Sequence, residues 1–187
     1  MVLVVMTVLA ALAIGVASGG RFRDLAQVSF RGGVLVGFGL GVQLVLGWLS
    51  GRTDGEGIVG LPLLIVSQVA LLAFFWLNRR LPGIPVAFAG FAMNALVIIL
   101  NGAMPVSRVA LRAVPGGGPG AVTPGKHRVL EPGDALPFLA DVIPLPPLRT
   151  VVSVGDVALA VGVAILIVTL MRRPHDAEPR RDDVPAA

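Results

Sequence analysis

Charged side chains are missing from four long stretches of this chain: residues 1–20, 32–51, 57–78 and 81–107 contain none. A fifth apolar stretch, residues 151–171, holds a single charge, Asp156. Runs of about 18 or more apolar residues are long enough to cross ~30 Å of hydrocarbon as helix. The pattern predicts an all-α, polytopic membrane bundle, with helices over residues 1–18, 33–50, 58–77, 84–101 and 151–171 of a single transmembrane domain, 1–171. Between the fourth and fifth helices, residues 102–150 form a long loop holding nine of the fifteen prolines. Residues 172–187 read as a polar, disordered tail. The first run starts at Met1 without a basic leading segment, which favours a retained helix over a cleaved signal peptide.

Composition supports this reading. Of 187 residues, 55% are apolar and 14% charged, at a mean hydropathy of +0.86, whereas soluble domains average about 25% charged. Arginines set the orientation. The first, second and third short connections carry three, one and two basic residues, and the tail four. Cytoplasmic segments collect Arg and Lys, while long loops translocate largely regardless of charge. The expected topology is therefore a cell (plasma) membrane protein with its N-terminus outside, the 102–150 loop outside, and the tail in the cytoplasm. The pI near 11.2 does not argue for nucleic acid, because the arginines cluster at helix ends and form no basic stripe with aromatic platforms. With no cysteine and two histidines, neither a metal site nor a cofactor is expected.

Gly33, Gly37 and Gly41 recur at four-residue spacing on one face of the second helix. Small residues let helices approach closely in lipid, so this face is expected to pack a neighbouring helix, a second copy, or another membrane partner besides the bilayer itself. Gln43 and Gln68 are expected to hydrogen-bond between helices.

Polar groups inside hydrocarbon are costly and mark sites by default. Asn94 and Asn101 lie seven residues apart on one side of the fourth helix, about 10 Å apart along its axis. Asp156 falls near the start of the fifth, where Ser153 makes a capping box with Asp in place of Glu. In the long loop, Ser107 can N-cap a short helix through Val109–Val114. The apolar, Pro-rich segment 136–146 is too short to span and is expected to lie on the membrane or fold over the bundle as a lid, carrying Asp141. His127 lies upstream with a side chain suited to acid–base work. The candidate binding residues are Asn94, Asn101, His127, Asp141 and Asp156, with Asp141 and Asp156 the candidates for catalysis. Asn101, Asp141 and Asp156 are expected to converge at the outer ends of the fourth and fifth helices. Two carboxyls in low dielectric do not both stay charged unless Asn101, Arg108 or Arg149 compensates.

The segments Asn101-Gly102-Ala103-Met104-Pro105-Val106-Ser107, Lys126-His127, residues 136–145 from Leu136 to Leu145, and Val152-Ser153-Val154-Gly155-Asp156 resemble an uncharacterised, largely actinobacterial family, domain of unknown function 5317. In that family glycine is expected where Ala140 stands. The resemblance implies a polytopic membrane protein and no particular activity. Separately, Gly155-Asp156-Val157-Ala158-Leu159-Ala160-Val161-Gly162 is similar to the last-helix motif of prolipoprotein signal peptidase, an intramembrane aspartyl protease, but nothing here matches the Asn-Leu-Ile-Asp-Arg around that family's other aspartate. Three readings stand open: a small polar binding site at the outer face, a component of a small-solute or ion transporter, and an aspartyl-type hydrolase.

Overall fold

A computed structural model describes residues 2–50, 60–118, 122 and 127–172, with Leu49 and Ser50 described by their backbone alone. The chain is mostly helical. Five principal helices follow the four charge-free stretches and the fifth apolar one: α1 (Val2–Ala17), α3 (Gly33–Ser50), α4 (Gly60–Leu77), α5 (Ile84–Asn101) and α7 (Val154–Met171). Two short ones, α2 (Phe22–Ala26) and α6 (Arg108–Arg112), lie in the connections. By length and composition α4, α5 and α7 suffice to cross a membrane, and α1 and Gly33–Trp48 are shorter apolar helices.

The helices do not ring a central core. Each packs mainly on one or two neighbours, in the order α1, α7, α5, α4, α3. The tightest crossing joins α5 to α7, and glycines make it. A Cβ at Gly90 would run into backbone atoms of Gly155 and Leu159, and one at Gly162 into the backbone of Ala87 and Gly83. Where lipid surrounds a protein there is no hydrophobic force between helices, so this approach, with its dispersion contacts, holds the pair. The face expected to pack is a different one. Among the described residues, nothing lies within 4 Å of a Cβ built at Gly33, Gly37 or Gly41, whereas one at Gly39 would meet Leu71 and the Ser67 carbonyl of α4. The glycine spacing is real, but the helix turns Gly39, not the Gly33–Gly41 stripe, toward its neighbour within the chain.

One end of the molecule gathers the arginines of the first and third short connections. The Arg21 amide donates to the Met171 carbonyl at 2.9 Å, tying the exit of α1 to the end of α7. Asn78, 5% exposed, reaches across with its side chain: its Nδ2 donates to the Arg31 carbonyl at 2.8 Å and its Oδ1 accepts from the Arg31 amide at 2.9 Å. Arg21, Arg23, Arg31, Arg79, Arg80 and Arg172 therefore share one end.

The opposite end carries the long loop, which holds more regular structure than a lid. β1 (Met104–Val106) pairs in parallel with β2 (His127–Val129). β3 (Ile143–Leu145) and β4 (Thr150–Val152) form an antiparallel hairpin joined by a 3-10 turn at Pro146–Leu148, and a second such turn covers Pro137–Leu139. The pairing of the β-branched Thr150-Val151-Val152 corrects the predicted start of the last helix, which begins at Val154. Ser153 caps it: its Oγ accepts from the Asp156 amide at 2.9 Å, and the Asp156 carboxylate accepts from the Ser153 amide at 3.1 Å. The capping box read from the sequence is present. α6 likewise starts on Ser107, whose Oγ accepts from the Ala110 amide, and ends at Arg112, short of Val114. Residues 58 and 59 of the third predicted helix, and 173–187 of the predicted tail, lie outside the described residues.

Candidate functional site

Helix register decides which polar groups meet. Gly155 lies against Gly90, so the first turn of α7 stands beside Asn94, not beside the end of α5. From Asn94 to Asn101, α5 runs about 10 Å past the start of α7. Strand β1 packs against α5 on that side.

Asn94 is consequently the partner of Asp156. Its Nδ2 donates to Asp156 Oδ1 at 2.7 Å, and its Oδ1 accepts from Ser153 Oγ at 2.8 Å. The second Asp156 oxygen takes the Ser153 amide. The cap of α7 is thereby bonded to the middle of α5.

Asn101 does not join this group, correcting the predicted convergence. Its Nδ2 donates to the Val97 and Ala135 carbonyls at 2.8 and 3.0 Å, and its Oδ1 accepts from the Ala135 amide at 2.9 Å. This pins the loop to the end of α5. Beside it Arg128 forms an ion pair with Asp134. The Arg128 hydrogen bond, and then that of the Glu131 amide, hold the Asp134 carboxyl below the usual carboxylate range.

Asp141 is carried over the bundle by its backbone. Its amide donates to the Pro105 carbonyl and its carbonyl accepts from the Ser107 amide, both at 2.9 Å, forming a parallel bridge to Val106. Pro105, which has no N–H of its own, occupies a strand position where only its carbonyl is needed. The Asp141 side chain is 6% exposed, and its Oδ1 is buried without a hydrogen-bond partner. His127, 40% exposed, brings Nε2 to 3.8 Å from Asp141 Oδ2. Burial, then the charge of Asp156, raises the Asp141 pKa to about 8. Among the described residues neither Arg108 nor Arg149 forms an ion pair with Asp141.

These groups line one cavity of about 170 Å³, into which Asp141, Asp156, Asn94, His127, Gln43 and Gln68 project beside Leu64, Ile98 and Met104. The glutamines bridge α3 and α4, Gln43 Nε2 donating to Gln68 Oε1 at 3.2 Å. A second cavity of about 170 Å³ lies beyond Asp141 and His127, under the α6 end and the hairpin. Asp141 and His127 line both. The structure thus unites four of the five candidate residues and adds the two glutamines, whose expected interhelical hydrogen bond is present but which were not among the candidates. Their signal was depth: both stand near the level of Asn94.

No curated protein and no solved structure matches the chain. Residues 27–168, a stretch that contains every residue of the cavity, match the family of unknown function DUF5317, and the chain belongs to that family.

Proposed function

We propose that this is a five-span plasma-membrane protein, N-terminus outside and C-terminus in the cytoplasm, that binds a small polar solute at its extracytoplasmic face. The arginine-rich end is the cytoplasmic one by the positive-inside rule, so the loop and its cavity face outward. α1 and α3, the shorter apolar helices, complete the five spans. One observation carries the binding reading. In a chain this apolar, two carboxyls and three carboxamides open into a single cavity roofed by ordered loop. Groups of that kind are expensive in hydrocarbon and collect where something is bound.

Binding is favoured over passage by what lies below. Toward the arginine-rich end, α4 has no polar side chain after Gln68, α5 none before Asn94, and α7 only Thr169 after Asp156. A solute pathway through the membrane would need polar groups along that half as well.

The chain has no cysteine, so an introduced one is its only thiol. In intact cells, Gly118→Cys is expected to react with a bulky membrane-impermeant maleimide, and Arg79→Cys only after lysis. Ile98→Cys, in the cavity, is expected to react with a small thiosulfonate added outside but not with the bulky reagent. The reverse pattern at Gly118 and Arg79 overturns the orientation, and an inert Ile98→Cys overturns the open site.

A further inference from the structure

We infer, resting on that binding reading, that the solute is a small primary ammonium ion: a cation bearing N–H bonds on a short hydrocarbon group. The sign of the charge comes from the lining. Among the described residues that line it are two carboxyls, the His127 imidazole and neither lysine nor arginine, so an anion would meet repulsion and a cation would be neutralised. A built acceptor also waits there, since Asp141 Oδ1 is buried without a hydrogen-bond partner. A buried acceptor left alone costs about 1–3 kcal/mol, and an N–H donor in the cavity relieves that cost.

The type of cation follows from the remaining walls. Quaternary ammonium ions are recognised by cages of Trp, Tyr or Phe, and among the described residues none of these lines this cavity. Acceptors do: the two carboxyls and the amide oxygens, each with more than one lone pair. They suit three N–H bonds pointing in different directions. A bare metal ion needs its anions close together, and among the described residues no three His, Asp or Glu side chains are so grouped. Leu64, Ile98 and Met104 add an apolar patch that fits a short alkyl chain. The volume, about 170 Å³, has room for a few heavy atoms and a water.

Binding is linked to protons. Asp141 is faced by His127 from β2, by Asp156 from α7, and across the second cavity by Arg149. With its pKa raised to about 8, it is mostly protonated at neutral pH, and an ammonium ion arriving beside it displaces that proton to water. Each cation bound below about pH 8 therefore releases one proton, and affinity rises as pH rises to that point.

The test uses the full chain with Ile98→Cys as reporter, purified in lipid nanodiscs. Labelling by neutral methyl methanethiosulfonate is timed with and without propylammonium, tetramethylammonium, sodium or neutral propionamide. Propylammonium is expected to slow labelling, with a half-effect concentration falling about tenfold per pH unit up to about pH 8 and levelling above. Tetramethylammonium, sodium and propionamide are expected to leave the rate unchanged. Asp141→Asn and Asp156→Asn are expected to abolish the protection, and the pH dependence in the unaltered site tests the idea without relying on either variant's folding. Equal protection by sodium or tetramethylammonium, protection that survives both substitutions, or a flat pH profile overturns the ammonium assignment. Protection by propionamide alone overturns it too, yet leaves a polar site standing. A cavity thiol that never reacts removes the site itself.

Discussion

Asp141 is held by backbone hydrogen bonds to β1 and pays for its position through its side chain. Its pKa stands near 8 in the fold, against about 3.9 in an unfolded chain. For a group whose folded pKa is raised, the stabilising contribution is complete below the unfolded value and is lost as pH climbs through the folded one. Without a bound cation, the melting temperature is expected to fall between about pH 4 and pH 8 and to level off above. Asp141→Asn is expected to flatten that slope, which thermal unfolding in detergent measures; an unchanged slope would assign the titration elsewhere. The sequence made Asp141, Asp156, Asn94 and His127 conspicuous because polar side chains are rare in so apolar a chain. It could not distinguish Asn94 from Asn101 as the partner of Asp156. Both amides lie on one side of α5, and the choice is made by the axial position of α7, which glycine contacts set and hydropathy does not express.

Among the elements, the same limit appears at the glycines. A four-residue spacing is visible at Gly33, Gly37 and Gly41, yet the decisive close approaches are Gly90 on Gly155 and Gly162 on Ala87. On α7 the two glycines sit seven residues apart and on α5 their partners only three, a pattern the eye passes over. The distinction can be measured. Gly90→Ala places a methyl against the α7 backbone, and overpacking of this kind costs about 1–3 kcal/mol. Gly37→Ala meets open space and removes a poor helix former, for a change between zero and about 1 kcal/mol of stabilisation. Thermal melts of the two variants are expected to move in opposite directions or to leave Gly37→Ala unmoved. A destabilised Gly37→Ala would place a second copy or another membrane helix against that face. The helices were legible because lipid-length apolar runs announce themselves. The four strands were not, since each is three residues long and two contain proline.

Across the whole molecule the helices form a row, α1–α7–α5–α4–α3, and its middle member but one is the last in sequence. Charge counting along the connections placed the arginines of the first and third short connections on one side, and in the fold they share one end with Arg172. It carried no information on lateral order. α7 separates α1 from α5, so a chain ending at residue 150 is expected to leave both without their main neighbour. Such a truncation is expected to be degraded in cells, while a chain ending at residue 172 accumulates normally; equal abundance of the two would mean the other contacts suffice. The row also imposes a timetable. A ribosome adds about 5–20 residues per second, and α1 and α7 are separated by nearly the full chain. During each round of synthesis the first helix must wait, on the order of ten seconds, with no partner but lipid. Its surface, apolar but for Thr7 and free of charged side chains from Val2 to Ala17, is what that solitary interval requires.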